Sequence, residues 1–369
     1  MIDLVMEDGH TVAQSWMGDL TELDGATVAV SGASGLIGRH IISLLLGLSE
    51  VYGLKLTVIA LGRSRARLDS VLSGWRDDSR LSLIEADISN KNAWPSVASH
   101  LIHAASPATP SAFAQDPVGV IKANVLGTLN AIDCVADSGA YLSLVSTMEI
   151  YGSVPIVDEL TDISIDEHTL GLIDPLDIRS AYPESKRVAE NLIMDAGSQY
   201  GLKGDIVRIS HTYGPGTSIA DNRAQVEFVK QAVLGEAIIL KSDGKLRRHY
   251  TYAADSASAI VRILTTRNQR VFPEAFNVAD NASRVSIRQL AELALLAAGR
   301  NPDELVIDIQ QPAGLLWSTM RGATFLNTRK VESLGWKPIF TMETGMPRMA
   351  EYIKQQCAKE PVNTKEMSV

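Results

Sequence analysis

The sequence predicts an α/β fold built on a doubly wound parallel sheet, with a smaller C-terminal α/β region. Three observations lead there. Short runs rich in Val, Ile and Leu alternate with helical patterns through the first 210 residues. A glycine-spaced turn directly follows the first of these runs. The alternation then loosens after about residue 215, where Pro and Gly punctuate shorter elements.

The strands read in order as TVAVSG (27–32), KLTVIALG (55–62), RLSLIEAD (80–87), HLIHAAS (100–106), YLSLVST (141–147) and DIVRIS (205–210). Most lack polar alternation, as strands covered on both faces do. Between them LIGRHIISLLLGL, VGVIKANVLGTLNAIDCVADSG and SKRVAENLIMDAGSQYG carry helical periodicity. Further on, DNRAQVEFVKQAVLGEAIIL predicts a helix leading into a short strand, and SIRQLAELALLAAGR a helix stopped by Gly299. Four stretches follow: an N-terminal arm (1–24), a mainly nucleotide-binding domain (25–214), a mainly substrate-binding region (215–355) with the chain crossing between the two, and a polar tail (356–369).

Composition narrows the partners. The net charge of −9 and the lack of a long basic run argue against nucleic acid or an anionic membrane. No segment reads as a membrane span, and the N-terminus lacks the basic and apolar pattern of a secretory signal, so a soluble cytoplasmic protein is expected. Cys134 and Cys357 are too far apart in sequence to suggest a disulfide framework or zinc spacing, and no metal site is expected.

GASGLIG places Gly32, Gly35 and Gly38, with Leu36 and Ile37 between them, where a strand turns into a helix. A pyrophosphate can approach such a backbone, and the helix start supplies N–H groups and a positive dipole end. This is the signature of a Rossmann-type nucleotide site. The second strand ends in Gly62, Arg63 and Ser64, without the acid that usually holds a ribose hydroxyl of NAD. Arg63 suits a 2′-phosphate or an adenine face, so the cofactor is NAD or NADP with a lean to NADP. EADIS sets Asp87 and Ile88 at the end of the third strand, beside the adenine.

AYPESK places Tyr182 and Lys186 four apart on a helix, hence on one face. A free phenol titrates near ~10. A neighbouring ammonium and a cationic cofactor ring would favour phenolate and make Tyr182 a usable base, while Lys186 also holds the nicotinamide ribose.

With GASGLIG, HAASPATP, NVLGT, STMEIYG, YPESK, RISHTYGPG, RRHYTYAAD and the late LGWKP, the chain resembles the extended short-chain dehydrogenase/reductase family over about residues 24 to 350. Within it the likeness is to nucleotide-sugar epimerases, dehydratases and decarboxylases, above all UDP-glucuronate decarboxylases. That resemblance implies that Thr147, Tyr182 and Lys186 surround a sugar hydroxyl, with Glu149 as an acid or base and Asn124 structural or supporting a proton relay. It implies that Ala104 and Ala105 border the cofactor, that Ser106 and Pro107 line the sugar pocket, that Arg248 meets diphosphate or sugar, and that Tyr252 shapes the site. If the 247–252 run is a strand, Arg247 points away from Arg248. Many members pair as homodimers through two helices, one of them carrying Tyr182.

Two positions depart from the family pattern. Met148 stands where dehydratases carry an aspartate proton donor, which argues against ordinary 4,6-dehydration and leaves decarboxylation or epimerisation after oxidation at C4; on this reading Met148 lines the pocket against C6. His211 stands where the family has Asn, near the diphosphate, and would donate to it best when protonated. The expected enzyme oxidises a nucleoside diphosphate sugar transiently at C4. The alternatives are an NADPH-dependent keto-sugar reductase, a dehydratase with a substitute acid, and a non-catalytic dinucleotide sensor.

Overall fold

In a computed structural model, the described residues are 3–154, 163–309 and 324–359. The chain opens with helix α1 (Leu4–Gln14), then runs β1 (Thr27–Ser31), α2 (Leu36–Tyr52), β2 (Thr57–Gly62), α3 (Arg65–Val71), β3 (Leu81–Glu85) and β4 (His100–His103). Next come α4 (Pro110–Gln115), α5 (Pro117–Ser138), β5 (Tyr141–Thr147), β6 (Ile163–Ile165), α6 (Ala181–Tyr200), β7 (Gly204–Ile209) and β8 (His211–Tyr213). The remainder is α7 (Ala224–Leu234), β9 (Ile239–Leu240), β10 (Arg247–Tyr252), α8 (Ala253–Thr265), β11 (Glu274–Val278), β12 (Arg284–Ser286), α9 (Ile287–Ala297), β13 (Val306–Ile307), β14 (Thr324–Leu326), α10 (Arg329–Ser333) and α11 (Met342–Lys359).

Seven strands form one parallel sheet in the order β11-β7-β5-β4-β1-β2-β3. The strand order reverses at the β1/β4 boundary, where ligands of open α/β sheets sit beyond the strand ends. Central β5 is buried along its whole length, as its apolar run requires, whereas β3 at the edge of the sheet leaves Ile84 exposed. β11 belongs to the large sheet although it follows β8 and β10, so the C-terminal half supplies its last strand. A smaller three-stranded sheet, β12-β10-β8, stands next to the β7 end of the core, with β8 beginning two residues after β7 stops.

Three expectations need correction. Residues 3–24 do not form a separate arm. α1 packs on α2 and α8, Asp3 caps its first turn, and Asp8 is fully buried. Asp8 accepts the Tyr252 hydroxyl at 2.7 Å and Arg348 Nε at 2.7 Å, while Arg348 also bonds Glu7 at 3.0 Å. Apolar positions Leu4, Val5, Val12 and Ala13 share the buried face, so burial rather than length makes this helix part of the core. The tail begins later than expected, because α11 reaches Lys359; residues 360–369 lie outside the described ones. Finally, α5 is long and apolar enough to cross a membrane by length and composition alone. Here it lies on α6, β4 and β5, with Asn124 and Thr128 on its buried face.

Candidate active site

The turn from β1 into α2 is a close-packed backbone cradle. Gly32 has φ +69°, and a Cβ there would come within 2.7 Å of the Ala105 nitrogen and 2.8 Å of the Ala104 carbonyl. A side chain at Gly38 would run into the Gly32 carbonyl. Gly35 caps α2, with Leu36 and Ile37 in its first turn. Ala105 N–H donates to Ser31 Oγ at 3.1 Å, tying the ends of β4 and β1 together at the reversal point. The cradle fits a pyrophosphate, since only bare backbone approaches the helix start. Gly32→Ala should therefore weaken nicotinamide dinucleotide binding by at least ~100-fold through combined strain and overlap; isothermal titration with NADH checks this, and an unchanged affinity would count against the cradle.

At the adenosine end, Arg63 is exposed just past β2, and its charge acts on Asp87. Asp87 is exposed as well, with Oδ1 taken by the backbone and hydroxyl of Ser89 at 3.0 and 2.7 Å. Ile88 proves to be a core side chain packed against Gly127 of α5, and its carbonyl accepts from Asn130 at 2.9 Å, so its apolar group is spent on packing.

β5 ends at Thr147 and passes into a short 3-10 turn, Met148–Tyr151, held from α6 by Arg187 on the Ile150 carbonyl at 2.8 Å. Tyr182 lies in the first turn of α6, buried, with its hydroxyl hydrogen-bonded to Thr147. Phe113 of α4 stacks on its ring at 4.7 Å. Lys186, one turn further along, is almost fully buried and gives one proton to the Val145 carbonyl at 2.8 Å. Asn124 donates to Ser185 at 2.8 Å, which places it behind the Tyr–Lys face as a support of α6. Thr147, Tyr182 and Lys186 are thus assembled as the sequence implied.

The electrostatics differ from the expectation. Burial pushes the Tyr182 phenol well above its ordinary range, Glu149 adds to this, and the Thr147 bond and Arg223 oppose it. Burial lowers Lys186 to about 8. The protein by itself therefore keeps Tyr182 a phenol, not a phenolate.

Glu149 sits deep in the protein, and burial raises its pKa against the pull of Arg179, Arg223 and Arg248. Arg223 and Arg179 escaped sequence reasoning. Arg223 precedes α7 and is anchored by Asp221, 2.5 Å away, which offsets the burial of its charge. Arg179 lies three residues before Tyr182, in the turn leading into α6. A signal existed for Arg179, since the turn preceding a catalytic helix start faces the same cleft. Arg223 had none, as only the fold brings its charge to bear on Glu149, 74 residues earlier. Arg248 on β10 is also deep, while Arg247 is exposed, in keeping with strand alternation.

His211 pairs with Tyr250 in register and lies 5.8 Å from its ring. Burial, with Arg248 and Arg223, depresses it to about 3, so it is a neutral imidazole, without the protonation that would make it a better donor. Ser106 and Pro107 follow β4; Ser106 Oγ is buried without a hydrogen-bond partner among the described residues, which suits a ligand contact. Tyr252 is not at the site. It lies about 13 Å along the strand from Arg248, fully buried, with its hydroxyl committed to Asp8. Met148 belongs to an apolar cluster with Ile150, Tyr151, Ile165, Ala279 and Leu326, so its packing partners are core residues under the site. A cavity of about 750 Å³ opens elsewhere, lined by Glu190, Arg208, Met194 and Lys330 among others, and by none of the residues singled out from sequence. Among the described residues no group of three His, Cys, Asp or Glu could hold a metal ion.

Comparisons with known proteins bear on this geometry. Among curated proteins the chain is 29% identical over 327 residues to UDP-glucuronic acid decarboxylase 6 of Arabidopsis thaliana, covering 88% of each chain. It is 26% identical over 348 residues to UDP-glucuronic acid decarboxylase 1 of Danio rerio, covering 93% of this chain and 76% of that one. Among solved structures, the fold is similar to a UDP-glucuronic acid 4-epimerase from Bacillus cereus, in complex with UDP-glucuronic acid and NAD (TM-score 0.73, 20% identity, 89% of this chain and 99% of that one). It is also similar to a dTDP-glucose 4,6-dehydratase from Bacillus anthracis in complex with NAD (TM-score 0.70, 20% identity, 89% and 97%). A family model matches residues 28–279, the stretch holding the glycine cradle, Thr147, Tyr182, Lys186 and Arg248, and the chain therefore belongs to the NAD dependent epimerase/dehydratase family and is an enzyme of it.

Proposed function

We propose that this enzyme oxidises a nucleoside diphosphate uronate at C4 and releases its C6 carboxylate as CO₂, with UDP-glucuronate as the substrate to test first. One observation carries the reading: the positive charges of three guanidinium groups, Arg179, Arg223 and Arg248, all act on Glu149, whose own charge acts on Tyr182. Diphosphate and a sugar carboxylate are the anions such groups grip. The curated relatives named above, which are decarboxylases of a UDP-uronate, support it.

The nicotinamide, held by the glycine cradle, would supply the hydride acceptor and a positive charge favouring the phenolate that the protein alone disfavours at Tyr182. Tyr182 takes the C4 hydroxyl proton, with Thr147 holding the shared hydrogen bond and Lys186 placing a positive charge one turn away. A C4 ketone leaves the C6 carboxylate β to a carbonyl. The C5–C6 bond then breaks, its electrons pass into the C4 enolate, and CO₂ departs. C5 regains a proton, for which Glu149, with its raised pKa, is a donor, and C4 takes back the hydride and its proton, so that the sugar leaves as an alcohol and no outside oxidant is consumed. None of these steps asks for a proton donor at Met148. Mass spectrometry of UDP-glucuronate incubated with enzyme and cofactor should show loss of CO₂. An unchanged mass with new retention would replace decarboxylation by epimerisation, and loss of water would overturn the reading of Met148.

For the cofactor, exposed Arg63 and the missing acid at the end of β2 support binding of the 2′-phosphorylated form as well as NAD. Arg63→Ala should weaken NADP binding by about tenfold, one charge-assisted contact, and leave NAD affinity unchanged; equal effects on both would remove the 2′-phosphate reading. The exposed Val118, Ile121 and Leu129 of α5 and Val188 of α6 support a homodimer built on these two helices, which light scattering of the eluting protein would test.

A further inference from the structure

Glu190 has no part in the steps above, yet it is tied to the residues that do. It follows Lys186 by one turn on α6, so Tyr182, Lys186 and Glu190 form one stripe facing the sheet. Its carboxylate is buried and accepts the Ser146 hydroxyl at 2.5 Å. Arg208 of β7 grips both oxygens, at 3.1, 3.1 and 2.6 Å. Ser146 stands between Val145, whose carbonyl receives the Lys186 proton, and Thr147, which bonds Tyr182. Arg208 is fixed in turn by the Tyr151 hydroxyl at 2.9 Å and the Glu167 carbonyl at 2.8 Å. A side chain held from three directions has little freedom left, and neither does the strand end that it holds.

The charges that face Lys186 are few. Tyr182 and Glu190 come from its own helix. His103 of β4 is kept neutral by burial and by Lys186 itself. Arg208 of β7 stands on the far side of Glu190. Glu190 is thus the negative charge that favours the ammonium form of Lys186 against burial.

We propose that Glu190 is a positioning residue for the Tyr182–Lys186 pair: it sets α6 against the strand end at Ser146 and supplies the charge that keeps Lys186 an ammonium ion in its buried site. The proposal rests on the reading of Tyr182 and Lys186 as the reacting pair.

Glu190→Gln keeps the volume and an acceptor for Ser146 but removes the charge. Two profiles test it in the full-length enzyme: kcat/KM for UDP-glucuronate against pH, and NADH affinity against pH from nicotinamide fluorescence. Losing a negative neighbour lowers the Lys186 pKa, so the alkaline fall of both profiles should move down by about one pH unit. Glu190→Asp keeps the charge at a shorter reach; its alkaline limb should stay in place while turnover falls by about tenfold. A folded Glu190→Gln protein with both limbs at the wild-type position overturns the proposal.

If the lone Arg208 guanidinium prevents that variant from folding, Glu190→Gln/Arg208→Gln removes both charges. Glu190 is the nearer to Lys186, so the limb should still move down, and an unmoved limb again overturns the proposal. The NADH profile needs no sugar. A wild-type enzyme inactive on UDP-glucuronate, with the NADH shift intact, would count against the substrate and not against Glu190. Activity surviving in Tyr182→Phe would count against the reacting pair itself.

Discussion

Tyr182→Phe should lower turnover by about a thousandfold, the scale of a lost general base, in a protein that still folds and still binds nicotinamide dinucleotide. The ring stays, and with it the stack on Phe113 at 4.7 Å and the burial that anchors the start of α6. Only the hydroxyl and its bond to Thr147 are lost. Product formation and NADH fluorescence titration, run on the same preparation, separate the two properties. Retained turnover would mean that another group takes the C4 proton. Loss of binding together with turnover would mean that the hydroxyl organises the cofactor site rather than the chemistry. The effect should be this large because the Tyr182 phenol, raised by burial and by Glu149, has no stand-in: Thr147 is a far weaker base and Lys186 is committed to Val145.

Asp8→Ala should destabilise the protein by about 2 kcal/mol, the cost of leaving the buried Tyr252 hydroxyl without its acceptor and Arg348 with Glu7 alone. It removes the acceptor of both the Tyr252 hydroxyl and Arg348 Nε at a fully buried position. Denaturant melts at fixed pH measure it, and a cost below 1 kcal/mol would show that water or Glu7 replaces Asp8. Replacing Arg348 with Met in addition should recover part of the loss, since no lone guanidinium remains. The pair also carries a pH signature. Burial raises the Asp8 carboxyl to about 6 from an ordinary 3.8, so the folded state holds its proton more tightly than the unfolded chain. Its contribution is full below 3.8 and is lost as pH rises through 6. Wild-type stability relative to Asp8→Asn should therefore decline between those values and be flat above them.

These two sites mark what the sequence made legible. Tyr182 and Lys186 were visible because their relation is local, four residues on one helix. The glycine cradle was visible because a strand, three spaced glycines and a helix follow one another without interruption. Six of the seven strands of the large sheet were visible, most of them because burial on both faces leaves no polar alternation; β11 was not, since its EAFNV carries Glu274 and Asn277 among few apolar residues. Asp8 and Tyr252 were not visible as partners: 244 residues separate them, and no periodicity encodes a contact made by packing alone. The Tyr252 assignment failed for a related reason. Strand alternation places 248 and 252 on one face, but four residues of extended chain carry the second beyond any site built around the first. Met148 looked functional because it interrupts two polar neighbours; the 3-10 turn sends it into the apolar cluster with Ile165 and Leu326, and these belong to elements more distant in sequence. Arg223 and Glu190 show the same limit, since a charged residue at the start of a helix or within one reads as surface until its neighbours in the fold are known.

The clasp between the first and last helices has a consequence for how the chain is made. Arg348 and Asp8 are 340 residues apart, so the bond between them is among the last that a growing chain can close. Until α11 leaves the ribosome, Asp8 has Tyr252 as its hydroxyl donor but lacks its guanidinium, and α1 rests on α2 and α8 alone. A chain terminated before Arg348 would carry the glycine cradle, Thr147, Tyr182 and Lys186 complete, yet expose an unsecured N-terminal helix to proteases.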